Sequence, residues 1–555
     1  MVQESSIQVP LPPLASELPT IRNGDAEHVT RRLRDTLYKP YSPKDEELPA
    51  LVKLVSSLDR GEGKDALAKV WLLTLPSREN GPANQEAFAE QGGIAMLVDY
   101  AEARLSGGVS SEDEEEMALA LLVLENLSCN TLRHRDMALD PNLIRVLITL
   151  IRAQEAYAIR ANAMKVLVNL TFSDVQLQQA VASSGVLPLA AGFLHQDDPG
   201  LVRQAVWLLS NLTAGQGCAA RAELAKSPGV LSNLKELLHR GDSPTKVYAC
   251  EVICNLARGD TGTHADLLRV GAMPMLLGLI NPHSEVRNEP EVVAPALLAL
   301  AALAVGNSSS AQGLLSEAQL LLYLAGVLEY SNLVSRNYDL ARVMVACHTL
   351  IFALGSFAAR NKAKDQSNQP FTEVVQESGY VQFKEMFEIL GLQKPQYYAA
   401  CLGKDLGGPQ SYVANATYQV NVELLPVLKH DNARMVVNAC ARLYQIATCL
   451  ADDKKGRAVL TNAALVSAVR DLLYSEHNSI LQVALSVVDA LASLPEVVPL
   501  LVAHGVMDAV SQLGDENQPH PTNGGMVHDP LVLLLADRAL VTMYVAQATS
   551  DSLVP

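Results

Sequence analysis

The segments LLVLENLS, MKVLVNLT, VWLLSNLT and EVICNLA repeat one order of apolar and polar positions, and each closes on an asparagine: Asn126, Asn169, Asn211 and Asn255. These asparagines stand 43, 42 and 44 residues apart, a period that belongs to a stacked array rather than to a single globular core. With the asparagine as position zero, offset −6 is Ala120, Ala163, Ala205 and Ala249. The register continues through degenerate copies at Ala302, Gln445 and Ala490, and Ala296, Ala439 and Ala484 again stand six residues before them. Offsets −5, −2 and +1 are apolar in all seven copies. Steps of one, three and three residues gather these positions on one face of a 3.6-residue helix. The pattern predicts seven amphipathic helices, each needing a small side chain at one place in its packed face.

Between these helices lies a second helical segment after a glycine turn, at Gly185, Gly229, Gly271 and Gly505. Glycine accepts the positive φ of a turn that ends a helix, and proline fits the first turn of the next, as at Pro188 and Pro274. This unit of short helices, a polar bend and an alanine-marked helix resembles the armadillo repeat. The resemblance extends over residues 48–513 and is most specific over 117–280. It implies an all-α fold, a right-handed superhelical α-solenoid of armadillo-type repeats. The expected organisation is an N-terminal tail and capping segment (1–47), a repeat array (48–360), an irregular insertion (361–425) carrying Tyr397, Tyr398 and Tyr412, further repeats (426–513), and a loop with a capping helix (514–555).

Composition narrows the function. Apolar residues make up 49% of the chain and aromatic residues only 5%, so Ala, Leu and Val fill the helix seams. A net charge of −17 argues against nucleic acid as a partner, because affinity for phosphate backbones rests on clustered cations. Phosphate-loop, zincin, nucleophile-elbow and dinucleotide motifs do not occur, and the scattered histidines lack metal-ligand spacing. The expectation is therefore no enzyme, no cofactor and no metal. His134, His195, His239 and His264 read as surface or capping residues, the cysteines as buried reduced thiols, and the acidic run SSEDEEE as a solvated helix start. The apolar stretch 292–306 is too short to cross a bilayer and carries the repeat register. A soluble protein of the cytoplasm or nucleus is expected, without membrane insertion.

The asparagine column is the candidate site. An asparagine offers both a donor and an acceptor, so a ladder of them can pair with the main chain of an extended peptide, or with backbone inside its own array. In peptide-binding armadillo proteins such residues line the concave groove, and the resemblance carries that role to Asn126, Asn169, Asn211 and Asn255. Helical geometry adds offsets −7 and −4: Asn162, Lys165, Gln204, Trp207, Tyr248 and Glu251 complete the partner-binding set. Trp207 followed by Asn211 is similar to the W-x-x-x-N signature with which importin-α adaptors hold nuclear-localisation peptides, although it occurs once and Lys165 takes the tryptophan place in the preceding copy. The expected function is a non-enzymatic scaffold or adaptor that binds a protein or extended peptide. The alternatives are a regulator or chaperone of a folded partner, of small-GTPase or myosin type, and a nuclear transport adaptor.

Overall fold

The computed structural model describes most of residues 45–354 and 416–551; the tail before Asp45, most of the expected insertion, its three tyrosines and His134 lie outside the described residues. Among the described residues the regular elements are all helical. Ten long helices occupy the third place of successive repeats: α1 (Arg60–Leu73), α2 (Ser111–Ser128), α3 (Tyr157–Thr171), α4 (Pro199–Ala214), α5 (Ser243–Ala257), α6 (Pro290–Gly306), α7 (Arg342–Ile351), α8 (Ala433–Leu450), α9 (Asn478–Ala492) and α10 (Pro530–Asp551). From α1 to α6, and again from α8 to α10, each packs along the next, and shorter helices such as Val230–Arg240 cover the other side. This is an α-solenoid of stacked repeats.

Local chemistry sets the ends of these helices. Gly185, Gly229, Gly271 and Gly505 have φ of 83°, 76°, 81° and 69°, as the turn pattern requires, and Gly92 is a fifth such turn. A side chain at any of the five would be strained by the backbone conformation itself. Asp198 and Asp242 accept hydrogen bonds from the backbone amides of Leu201 (2.7 Å) and Thr245 (2.9 Å). They cap α4 and α5 ahead of Pro199 and Pro244, prolines in a first turn where the missing donor costs nothing.

The alanine column is the seam of the stack. Ala120, Ala163, Ala205, Ala249, Ala296, Ala439 and Ala484 are at most 2% exposed. Two further copies of the register emerge, around Ala66 in α1 and Ala346 in α7. The third helices are not amphipathic in the expected sense: in α2 every residue from Glu116 to Leu124 is buried. A helix placed between two neighbouring third helices and a covering layer has little side left for solvent, so it is apolar nearly all round. The acidic run before it is also less solvated than expected, because Glu116 is buried and accepts from Tyr100 Oη and from Arg104 Nη2, the latter at 3.2 Å. Cys250, Cys254, Cys347 and Cys440 are buried, and burial pushes their thiols up, Cys440 to about 12. Cys129 departs from that expectation and is exposed.

The array curls back on itself. Asn478, at the start of α9, donates from Nδ2 to the carbonyl of Ala214 at the end of α4 (3.4 Å). Arg258, capping the end of α5, pairs with Asp529 at the start of α10 (3.3 Å). Both contacts join a third helix to the fifth one after it among those described, and α10 also packs against α6. The last helix thus stands in the third-helix place of a final repeat as well as closing the array. Over Pro530–Gln547 it has the length and apolarity of a membrane-crossing helix, more so than the expected 292–306 stretch, yet it packs along α9 and carries Asp537 and Arg538.

Overpacking the seam tests this register. Ala205→Leu is expected to destabilise the array by about 1–3 kcal/mol, read as a lowered denaturation midpoint, whereas Ala180→Leu on the exposed side of Val175–Val181 leaves the midpoint unchanged.

Candidate functional site

Each ladder asparagine reaches back to the repeat before it. Asn126 Nδ2 donates to the Trp71 carbonyl and to Thr74 Oγ1, both at 3.1 Å. Asn169 Nδ2 donates to Ser128 Oγ at 2.9 Å and to the Glu125 carbonyl at 3.4 Å. Asn211 Nδ2 reaches the Val168 carbonyl at 3.0 Å and Thr171 Oγ1 at 3.3 Å, and Asn255 Nδ2 reaches the Ser210 carbonyl and Thr213 Oγ1, both at 3.2 Å. In repeat numbering each asparagine donates to the carbonyl at −1 and the hydroxyl at +2 of the preceding third helix, and Asn169 also reaches Cys129 Sγ at 3.4 Å. An amide nitrogen has two hydrogens, one for each acceptor. The donor half of each asparagine is therefore committed within the array, and the side-chain oxygen is what each has left for a partner.

Sequence reasoning missed the hydroxyl column, although it carries a signal. Thr74, Ser128, Thr171 and Thr213 stand at +2 in the helices that precede the four asparagines. After α5 the +2 position is Ala257, and the next zero position is Ala302. Where the acceptor is lost, the asparagine is lost with it. Each hydroxyl in turn donates to its own helix, as Thr171 does to the Leu167 carbonyl at 2.7 Å. A second unforeseen column caps the same helix ends: Gln85, Gln178 and Arg221 donate to the carbonyls of Thr74 (2.7 Å), Thr171 (2.9 Å) and Thr213 (2.9 Å), and His264 Nε2 meets the carbonyl of Ala257. His264 is a capping histidine, and a buried one, whereas His195 and His239 are exposed.

The residues at −7 and −4 form a narrower patch. Trp207 and Tyr248 stack with ring centroids 4.8 Å apart and planes within 9°, so an aromatic pair bridges α4 and α5. Glu251 accepts from Ser210 Oγ at 2.7 Å beside it. One repeat earlier, Lys165 pairs with Glu125 at 2.5 Å, so the charge that would oppose a basic partner is met by a carboxylate. Asn162 is buried, and Gln204 is half-buried with its Oε1 enclosed and accepting no hydrogen bond from the described residues; Glu125 Oε2 is in the same condition. Glu125 and Ser210 occupy offset −1, three residues after −4. That spacing places them on the same helix face, and it could have identified them in the sequence. The two unmatched atoms, Gln204 Oε1 and Glu125 Oε2, are both acceptors, and both are enclosed.

On α6 the same rows hold Pro295 and Ala302, both buried, and Leu298, half-buried. In the second half, side chains from α7, α8, α9 and α10 converge on one small cleft lined by residues that include His348, Tyr444, Asp489 and Arg538. Tyr444 Oη lies 2.9 Å from His348 Nδ1, and Asp489 binds Arg538 Nε at 2.8 Å and Thr542 Oγ1 at 2.6 Å. These polar groups meet one another across the seam. In the first half of the array the half-buried residues of these rows are Lys165 and Asn169 of α3, Gln204 and Trp207 of α4, Tyr248 and Glu251 of α5 and Leu298 of α6.

Residues 174–214 match the family model of the Armadillo/beta-catenin-like repeat, and this interval is one structural unit ending with α4. Residues 174–214 thus form an armadillo repeat within a solenoid of armadillo-type repeats. Importin subunit alpha-8 of Arabidopsis thaliana is 28% identical over 206 residues, covering 37% of this chain and 43% of the relative. Importin subunit alpha-1a of Oryza sativa subsp. japonica is 22% identical over 324 residues, 58% and 56% of the two chains. The chain spans about half the length of the curated relatives it matches. Among solved structures, a designed armadillo repeat protein in complex with peptide (KR)4 is 22% identical with a TM-score of 0.39, covering 46% of this chain and 99% of the other.

The ladder's structural role is open to direct measurement. Asn211→Ala strips a donor from the Val168 carbonyl and from Thr171, and is expected to cost about 1–3 kcal/mol of stability. Asn211→Asp, which sets a carboxylate against that carbonyl, costs at least as much. Urea denaturation in which Asn211→Asp matches wild type would contradict the geometry.

Proposed function

We propose that this protein is a non-enzymatic interaction scaffold that binds an extended segment of a partner protein along α2–α5. The observation that carries this reading is the Trp207–Tyr248 stack, half-buried between repeats and flanked by Glu251 and by the side-chain oxygens of the asparagine ladder. Aromatic anchors with fixed rotamers supply most of the energy of small interfaces. The acceptors around them suit a segment that presents hydrogen-bond donors, as every main-chain N–H does. The binding set comprises Trp207, Tyr248, Glu251, Lys165, Asn162 and Gln204 with the four ladder oxygens, and it needs no metal, cofactor or nucleic acid.

A second reading, a nuclear transport adaptor shuttling between cytoplasm and nucleus, is favoured by the importin relatives and by the pairing of Lys165 with Glu125. That pairing removes the repulsion the sequence alone suggests for a basic segment. One feature weighs against it: the face of Trp207 that would receive a lysine stem from the α5 side is already covered by Tyr248.

Affinity capture with Trp207→Ala beside wild type tests the first reading. Recovery of the specific partner is expected to fall more than about tenfold, and unchanged recovery by a folded variant would refute it. For the second reading, a lysine-rich peptide should bind at low ionic strength and weaken steeply as salt rises; no binding at low salt would exclude the adaptor role.

A further inference from the structure

The last repeat ends on a face that the ladder repeats keep covered. Thr542 Oγ1 of α10 bonds to the Asp489 carboxylate at offset −1 of α9 (2.6 Å), as position zero of one repeat meets −1 of the repeat before it elsewhere in the ladder, so Thr542 stands at zero. Ala536 at −6 and Met543 at +1 are fully buried, as that register requires. In the ladder, −1 and +2 are the offsets that meet the following third helix. At +2, Thr74, Ser128, Thr171 and Thr213 are fully buried, whereas in α10 this position is Tyr544, 57% exposed. Val541 at −1 is half-buried, where Ser210 and Asp489 are buried.

The open face is apolar. By helical spacing Leu533, Leu534, Asp537, Val541, Tyr544 and Val545 lie on the side of α10 opposite the buried Ala539, and Asp537 is the one charge among them. Large apolar side chains are exposed at four places among the described residues. Two are Tyr544 and Val545, and a third, Val502, is on Val498–Ala503, a short helix of the same repeat that packs on α10. A terminal repeat that faces water carries a polar outer side; this one is built like an internal seam. The first repeat differs, because Leu72, at zero in α1, is only 5% exposed although no third helix precedes it among the described residues.

The spacing selects the occupant. The six positions are symmetric about residue 539, with 533 matching 545, 534 matching 544 and 537 matching 541. Two copies of α10 set antiparallel about a two-fold axis therefore place Leu533 on Val545, Leu534 on Tyr544 and Asp537 beside Val541, each contact made twice. Head-to-tail growth lacks a matching open surface at α1. A helix lying on a membrane carries cations beside its apolar face; α10 has one, Arg538, already bound to Asp489, in a chain of net charge −17.

We propose that the outer face of α10 is a self-association surface that takes α10 of a second copy of this chain in an antiparallel, two-fold helix pair. The seam between third helices is thereby continued across the axis, and two arrays join at their last repeats. One helix pair is a small contact, near or below the about 1,000 Å2 of a stable interface, and two Asp537 carboxylates flank the axis, so the dimer is reversible with a micromolar Kd. Only one consequence rests on the function proposed above: each dimer presents two α2–α5 faces and gains avidity for a partner with two segments. The pairing itself does not depend on that reading.

Sedimentation equilibrium of the full chain with no partner present, from about 1 to 100 μM, tests the pairing. Wild type is expected to pass reversibly from monomer to dimer. Tyr544→Glu and Leu534→Lys should each weaken the dimer about tenfold or more with unchanged denaturation midpoints. An equimolar mixture of the two should recover it, since the mixed pair sets the new cation against the new carboxylate. If Leu534→Lys does not fold, Val545→Glu joins Tyr544→Glu in its place, both positions being exposed. A wild type that stays monomeric over the whole range, a dimer that Tyr544→Glu leaves intact, or assembly beyond the dimer would overturn the proposal, and a mixture that fails to recover would overturn the antiparallel register. Co-sedimentation with phosphatidylcholine–phosphatidylserine vesicles that Tyr544→Glu abolishes, in the absence of any dimer, would overturn it in favour of a membrane.

Discussion

Everything in this array depends on how closely one third helix approaches the next. At offset −6 the two helices leave room for a methyl group, which is why alanine stands there in nine copies, from Ala66 to Ala484. Close approach also places the end of each helix within hydrogen-bonding reach of its predecessor. The asparagine at zero uses that reach, sending both amide hydrogens to a carbonyl and a hydroxyl one repeat back. A polar side chain from the following short helix caps the same helix end. Buried polar groups in a core this apolar are tolerated because these partners satisfy them, and the stitched stack becomes a rigid base for the face above it.

That stitching decides what the face can offer. Because the amide donors point into the array, the acceptors left on the proposed face are the four asparagine oxygens and the Glu251 carboxylate. The aromatic pair sits among them where α4 and α5 meet, and its own ring-on-ring contact fixes both side chains before any partner arrives, so less ordering is left for binding. The hydroxyl column ends before Ala257 of α5, and the asparagine column ends one repeat later at Ala302 of α6. The second half of the array directs its polar inner residues at one another around a small cavity. The two halves share one register.

The period of 42–44 residues, the alanine seam, the glycine turns and the place of Trp207 and Tyr248 at offsets −4 and −7 were all determined by the sequence alone, because each is a property of one helix or one turn and follows from local backbone geometry. The asparagine ladder was legible as a column but not in its direction: whether Asn211 donates outward to a peptide or inward to Val168 depends on the distance to a helix about 40 residues earlier. Pairing it with the hydroxyl column would have resolved this, since the two columns vanish together after α5. The tertiary structure alone decided the stacking of Trp207 on Tyr248, the neutralisation of Lys165 by Glu125, and the meeting of Arg258 with Asp529. These depend on the curvature of the stack, which accumulates from a small rotation at every repeat, and no single repeat's sequence specifies a sum taken over five of them.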